Sequence, residues 1–165
     1  MANRTAEKTE ACAAALRRHR FEAEVVKDAE AAFALMKAVV EAMHDELRRE
    51  AGFLPAEQLR TIYFGGGTPS LLPPEELEEF IAHAAELFDC TVLEECTVEA
   101  NPDDLTPDYL RRLARTRVDR LSIGVQSFDD GELRLMNRRH TADAARKAVR
   151  QAQEAGFGNV TVDLI

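Results

Sequence analysis

Four short runs rich in β-branched and aromatic residues recur about thirty residues apart, and each follows a stretch with helical periodicity. The runs are Thr61-Ile62-Tyr63-Phe64, Cys96–Ala100, Asp119–Val125 and Asn159–Ile165. Before the first, Ala31, Ala32, Leu35, Met36, Val39, Val40, Met43 and Leu47 recur three and four apart, which predicts an amphipathic helix over Asp28–Glu50. Before the second, Pro73 and Pro74 lead into Glu75 and Glu76, a helix start with acids at its positive end, and Leu77, Phe80, Ile81, Ala84 and Leu87 supply the buried stripe. Thr106-Pro107-Asp108 opens a short helix over Tyr109–Thr116 by the same logic, and Thr141–Ala155 is a helix that Gly156 stops. Regular alternation of this kind is the pattern of right-handed βαβ units and a parallel sheet, so the fold class is α/β. The run Thr61–Phe64 is expected to be a buried strand, and the fourth run leaves an open apolar edge.

Composition narrows the function. Residues 61–110 carry twelve acidic side chains and no Lys or Arg, and the net charge of the chain is −9, so no concentrated positive footprint for a nucleic-acid backbone is present. No window approaches the roughly 18 uninterrupted apolar residues of a membrane span. Cys12, Cys90 and Cys96 are an odd number, which argues against a disulfide framework and for a reducing compartment, and the charged start around Arg4, Glu7 and Lys8 lacks a secretory core. A cytoplasmic location is expected. Ala6–Arg18 is helix-prone, and residues 1–26 are expected to form an N-terminal helical arm to a unit over 27–165.

In parallel α/β sheets, ligands bind at the carboxyl ends of the strands. Those ends hold Gly65, Gly66, Gly67 and Thr68, then Glu99 before Asn101, then Gln126 and Ser127, then Asp163. The glycines allow close backbone approach, but neither a P-loop nor a GxGxxG spacing is present, which disfavours nucleoside triphosphates and ordinary dinucleotides. Taken singly, each position has an ordinary structural explanation: a tight turn, a solvated carboxylate, a satisfied polar group in a strand. Together they make a rim of amide, carboxylate and hydroxyl groups suited to a zwitterionic, ribose-bearing ligand. His44 and His83 are expected to be ordinary helix-surface residues, and Cys90 and Cys96 are reduced, partly buried thiols too few for a zinc site. The turn Arg138-Arg139-His140 is either solvated or sends one arginine to the rim. An unrelated α/β-hydrolase fragment ranks last, because no Gly-x-Ser-x-Gly elbow is present.

The stretches Thr61–Leu72, containing Gly-Gly-Gly-Thr-Pro-Ser, Thr97–Pro102, containing Glu-Ala-Asn-Pro, Arg120–Phe128, containing Gln-Ser-Phe, and Val162–Ile165 resemble the radical S-adenosylmethionine (SAM) proteins of the oxygen-independent coproporphyrinogen III oxidase-like family. Their form is closer to its heme chaperone branch than to the true oxidase. The resemblance implies parallel βα repeats forming part of a partial (β/α)6 TIM-like barrel, with SAM bound at the strand ends. It implies that Gly66, Gly67, Thr68 and Glu99 hold the methionine amino group, Gln126 and Asp163 the ribose hydroxyls, and Arg138 the methionine carboxylate. Heme or porphyrin is the further partner the family implies.

The family also implies a [4Fe-4S] cluster held by Cys-x3-Cys-x2-Cys after a first strand. Upstream of Thr61 this sequence has Cys12 alone and no recognisable first strand. The expectation is therefore a truncated or degenerate half-barrel without metal ligands or catalytic residues, inert in radical chemistry. The alternative is a non-enzymatic module that contacts SAM or heme and pairs with a partner, or with itself, through the exposed last strand.

Overall fold

The computed structural model describes residues 29–53 and 58–165, so the expected arm at 1–26 lies outside the described residues. The chain divides into two compact units after Gly52. In the first, the predicted amphipathic helix is α1, Ala29–Glu50, with Arg48 and Arg49 in its last turn, where cations complement the helix dipole. Met36, Val40, His44 and Leu47 lie on its less exposed stripe.

The second unit is built on a parallel sheet of β1 (Thr61–Phe64), β2 (Glu95–Ala100), β3 (Arg120–Gln126) and β4 (Asn159–Leu164), in the spatial order β1-β2-β3-β4. Each strand is added beside the one before it, with no reversal of strand order. That is how a TIM-like barrel winds, whereas a doubly wound sheet reverses at a switch point. The crossovers carry α2 (Pro74–Leu87), α3 (Pro107–Leu113), then α4 (Asp130–Leu135) and α5 (Ala142–Glu154). The helix starts follow the sequence signals. Thr106 Oγ1 accepts from the Tyr109 N–H with Pro107 in the first turn, and Thr141 Oγ1 accepts from the Ala144 N–H. Gly156 ends α5 with φ at +106°, a conformation that a side chain would strain.

Strand alternation divides the residues by chemistry. Cys96, Val98 and Ala100 of β2 and Leu121, Ile123 and Val125 of β3 form the core with Leu77 and Ile81 of α2, Leu110 and Leu113 of α3, and Ala145, Ala148 and Ala152 of α5. The alanines let α5 lie close to the sheet, while Leu77, Leu110 and Leu113 are fully buried, each contributing about 1.5–3 kcal/mol of transfer free energy. Intervening residues face the other way: Tyr63 on β1, Glu95, Thr97 and Glu99 on β2, Arg120, Ser122, Gly124 and Gln126 on β3, Thr161 and Asp163 on β4. One face of the sheet is therefore apolar and covered by helices over β2 and β3, with Val162 of β4 left exposed, and the other is polar.

Several expectations are corrected. β1 is not a buried strand: it is an edge strand whose Thr61 and Tyr63 are exposed, and only Ile62 and Phe64 turn to the core, Phe64 meeting Phe80 edge-on at 6.1 Å. α3 begins two residues earlier than predicted and stops at Leu113, where the Thr116 hydroxyl bonds the Leu113 carbonyl. The short helix α4 was not foreseen. His44 and His83 are half-buried rather than plain surface residues, and each makes at least one polar, charged or ring interaction. Phe157 and Val118, in the turns before the strands, complete the core at its lower end.

Candidate functional site

The polar face carries three hydrogen-bonded clusters that together reach all four strands. Near the amino ends of the strands, Arg120 on β3 donates to Glu95 Oε1 at 3.2 Å and Thr97 Oγ1 at 3.3 Å on β2, and to Thr161 Oγ1 at 3.2 Å on β4. The Thr97 hydroxyl donates to Glu95 at 2.8 Å, so the buried threonine is satisfied by the same carboxylate. One level up, the Ser122 hydroxyl lies 3.2 and 3.3 Å from the two carboxylate oxygens of Asp163. At the same level, since Glu99 pairs with Ser122 in the register, the glutamate takes two donors: the Tyr63 hydroxyl at 2.8 Å to Oε1 and the Gly66 N–H at 2.9 Å to Oε2. With one donor on each oxygen, the carboxylate keeps lone pairs free for a cation.

Loops at the carboxyl ends of the strands hold this rim in place. Gly66 and Gly67 have φ of +79° and +59°, which turns the chain sharply after β1 and aims the Gly66 amide at Glu99. Gly65 serves differently: a Cβ there would sit 2.6 Å from Cε1 of Tyr63 and 3.1 Å from Glu99 Oε1, so its lack of a side chain lets the ring and carboxylate meet. Ser70, in the 3-10 turn Pro69–Leu71, donates to Asp104 Oδ2 at 2.7 Å and accepts from the Asn101 N–H at 3.2 Å. That pair of bonds ties the loop after β1 to the loop after β2.

The loop after β3 brings in a cation. Gln126 adopts φ of +70° where the β3–β4 register shifts. Arg138, on the turn between α4 and α5, donates from Nη2 to the Gly124 carbonyl at 2.8 Å and to Asn101 Oδ1 at 3.1 Å. Gly124 accommodates both side chains, because a Cβ there would lie 2.9 Å from Gln126 Nε2 and 3.4 Å from Arg138 Nη2. Of the Arg138-Arg139-His140 turn, then, Arg138 reaches the rim. Arg139 lies 3.6 Å from Asp103, and His140 is buried with Nε2 3.0 Å from the Val125 carbonyl.

Six of the seven residues expected at the site lie on strand carboxyl ends or in the loops that follow them, and Arg138 reaches the same end from the turn between α4 and α5. Contacts tie Gly66 to Glu99, and Arg138 to the ends of β2 and β3, while Asp163 bonds Ser122 on the neighbouring strand. Tyr63, Ser70, Ser122 and Gly124 were not singled out from the sequence, and Asn101 was noted only as the end of its strand. The alternation of Thr61 and Tyr63 against Ile62 and Phe64 would have placed Tyr63 on the polar face. Nothing in the sequence points to the Ser70–Asp104 bond.

The two cysteines among the described residues lie elsewhere. Cys96 turns into the helix-covered core, where burial first and the charge of Asp119 next push its thiol up to about 12. Cys90 is in the turn between α2 and β2, at the amino ends of the strands and so opposite the rim. Among the described residues no group of three or more His, Cys, Asp or Glu is placed to hold a metal ion, and no helix is long and apolar enough to cross a membrane.

Comparison with known proteins agrees with the geometry. Residues 18–165 match the family model described as the radical SAM superfamily. The heme chaperone HemW of Lactococcus lactis is 44% identical over 126 residues, which cover 76% of this chain and 33% of that protein. HemW of Bacillus subtilis is 39% identical over 108 residues, covering 65% of this chain and 28% of the relative. Among solved structures, the coproporphyrinogen III oxidase HemN of Escherichia coli, a radical SAM enzyme, superposes with a TM-score of 0.66 at 27% identity, over 76% of this chain and 29% of that one. The chain thus spans a third or less of the length of these relatives. By its family match, its strand order and its rim, the chain belongs to the radical SAM superfamily, with relatives among the HemW-like heme chaperones and the HemN-like coproporphyrinogen oxidases.

Proposed function

We propose that this chain binds SAM along the rim of its half-barrel and belongs functionally with the heme chaperone branch, without generating a radical by itself. The observation that carries the reading is the Glu99 carboxylate, held by a strand neighbour and by the glycine loop yet open to a further donor. In this arrangement Glu99 accepts from the methionine ammonium, with Gly66, Gly67 and Thr68 supplying backbone and hydroxyl partners around it. Arg138 turns guanidinium N–H groups to the methionine carboxylate, and Gln126 and Asp163 take the ribose hydroxyls. Arg138 is held against the ends of β2 and β3 by its bonds to Asn101 Oδ1 and the Gly124 carbonyl, and a carboxylate is its natural partner. Residues 27–165 act as the SAM-facing domain in this reading, and the superfamily match over 18–165 supports it.

The residues do not fit the iron-sulfur cluster that the family implies. Three thiolates must converge on such a cluster, and the sequence has three cysteines in all. One of them, Cys96, is a neutral thiol buried on the face of β2 away from Glu99, so it cannot be a ligand at the rim. No reaction step is therefore routed through a cluster. The role left to the chain is recognition of SAM, and of heme or porphyrin if the chaperone function of its relatives extends to it, in a cytoplasmic setting.

Titration calorimetry tests the reading. SAM is expected to bind with 1:1 stoichiometry, and Glu99→Ala and Asp163→Ala are each expected to weaken or abolish the heat. Absence of heat with the unaltered chain would refute it. Anaerobic iron-sulfur reconstitution is expected to leave no stoichiometric visible absorbance, and a stable band accompanied by SAM cleavage would overturn the cluster-free assignment.

A second reading, a scaffold that pairs through its edge, is favoured by β4. That strand lies at the end of the sheet order, and Val162, Leu164 and Ile165 are exposed. Light scattering after size exclusion is expected to show a dimer that Val162→Lys dissociates, and a monomer at all concentrations would remove this reading.

A further inference from the structure

One rim side chain has no part in the ligand roles above, yet its hydroxyl touches the residue that carries them. Tyr63 stands on the edge strand β1, where an exposed aromatic ring on the polar face gains little from burial. Its ring nevertheless folds up beside Gly65 into space that any Cβ would close, and its hydroxyl ends 2.8 Å from Glu99 Oε1. The arrangement is complementary on both sides, since Gly65 leaves room for the ring and the ring brings a donor to the carboxylate.

A glutamate side chain has three rotatable bonds, and a single donor at one oxygen leaves its carboxylate free to swing about that contact. Here Gly66 fixes one oxygen and Tyr63 the other, so the plane of the group is set before any ligand arrives. The carboxylate beside it, together with desolvation, holds the phenol above its ordinary range, so Tyr63 stays a donor throughout the pH range of an ordinary binding experiment.

We propose that Tyr63 is a positioning residue of the SAM site, fixing the Glu99 carboxylate in the orientation that receives the ligand's ammonium group. The inference rests on the reading of the rim as a SAM site. It assigns selectivity for the amino-acid arm of the ligand to a residue that does not itself contact that arm. Loss of the Tyr63 hydroxyl therefore weakens ligands that carry the ammonium group and spares those that lack it.

The test compares the full chain with Tyr63→Phe by calorimetry, using SAM and 5'-methylthioadenosine, which keeps the adenosine and the sulfur but lacks the amino-acid arm. Tyr63→Phe is expected to weaken SAM by about tenfold, the scale of one lost charge-assisted hydrogen bond, and to leave methylthioadenosine within twofold of the unaltered chain. Thermal melting is expected to be unchanged, since the ring stays in place. Equal losses for both ligands would mean that Tyr63 only supports the loop, and an unchanged SAM affinity would mean that Gly66 alone fixes Glu99; either result overturns the proposal while leaving the SAM site intact. No SAM binding by the unaltered chain would overturn the site and this inference together.

Discussion

Ser70→Ala isolates what holds the glycine loop to the rest of the rim. Ser70 is 3% exposed, and its hydroxyl makes two bonds of different kinds. It donates to the Asp104 carboxylate at 2.7 Å, and a hydrogen bond to a charged group contributes about 1.5–3 kcal/mol. It also accepts from the partly buried Asn101 N–H at 3.2 Å, and leaving a donor shielded from water without a partner costs about 1–3 kcal/mol. Asp104 recovers little, because its nearest cation, Arg139 Nη2, stands 3.9 Å away and Arg139 is itself exposed. The space left by one oxygen is too small for a water molecule to restore both bonds. Taking the low end of each range, because the longer bond is the weaker, the loss is about 2.5 kcal/mol, a large part of the roughly 5–15 kcal/mol that stabilises a typical domain. Urea unfolding followed by circular dichroism is expected to show that loss as a lower midpoint at unchanged slope. Asp104→Asn keeps an acceptor for the serine, and it is expected to lose less than Ser70→Ala. A Ser70→Ala variant within about 0.5 kcal/mol of the parent would refute the reasoning, because it would show that the Asn101 amide finds another acceptor and that the loops are held independently.

Other expectations follow from single contacts. Gly65→Ala places a Cβ 2.6 Å from the Tyr63 ring, and because that ring is half exposed it swings outward at a cost of about 1 kcal/mol or less. Calorimetry is expected to show SAM affinity falling about tenfold in that variant, and unchanged binding would contradict the packing argument. Tyr109→Phe removes a hydroxyl that is buried without a hydrogen-bond partner, in a residue whose phenol burial and the charge of Asp104 push well above its usual range. Thermal melting is expected to show a gain of about 1 kcal/mol, and a loss would reveal a partner for that hydroxyl. In a Cys12→Ser/Cys90→Ser variant, Cys96 is expected to react with a thiol reagent only on unfolding, and rapid reaction of the folded chain would disprove its burial. The sign of its pH effect follows from the raised folded value. Stability is unaffected by this thiol below its ordinary range near 9 and falls as pH rises from there toward 12, because only the unfolded chain releases the proton.

Much of this fold is written in the order of residues along the strands. Cys96, Val98 and Ala100 alternate with Glu95, Thr97 and Glu99, so the composition of β2 alone tells which face is covered and which carries polar groups. The short strand β1 misled because four β-branched and aromatic residues in a row read as buried. Its edge position, which only strand order reveals, exposes Tyr63. α4 was missed because six residues around Gly131 show little periodicity, although Asp129 caps it by accepting from the Gly131 and Glu132 amides. The rim was harder to read for a physical reason. Its members were visible as polar residues after strands, but their alignment depends on contacts to backbone groups, such as Arg138 to the Gly124 carbonyl, and on the positive φ of Gln126. Side-chain chemistry along the chain does not encode those terms. A glycine such as Gly124 signals that something comes close without saying what. The uncharged core residues therefore specify the sheet, while the glycines and the neutral Ser70 and Asn101 specify how its charged groups are aimed. Substitutions at those uncharged positions are expected to disturb binding as much as changes to Glu99 or Arg138 themselves.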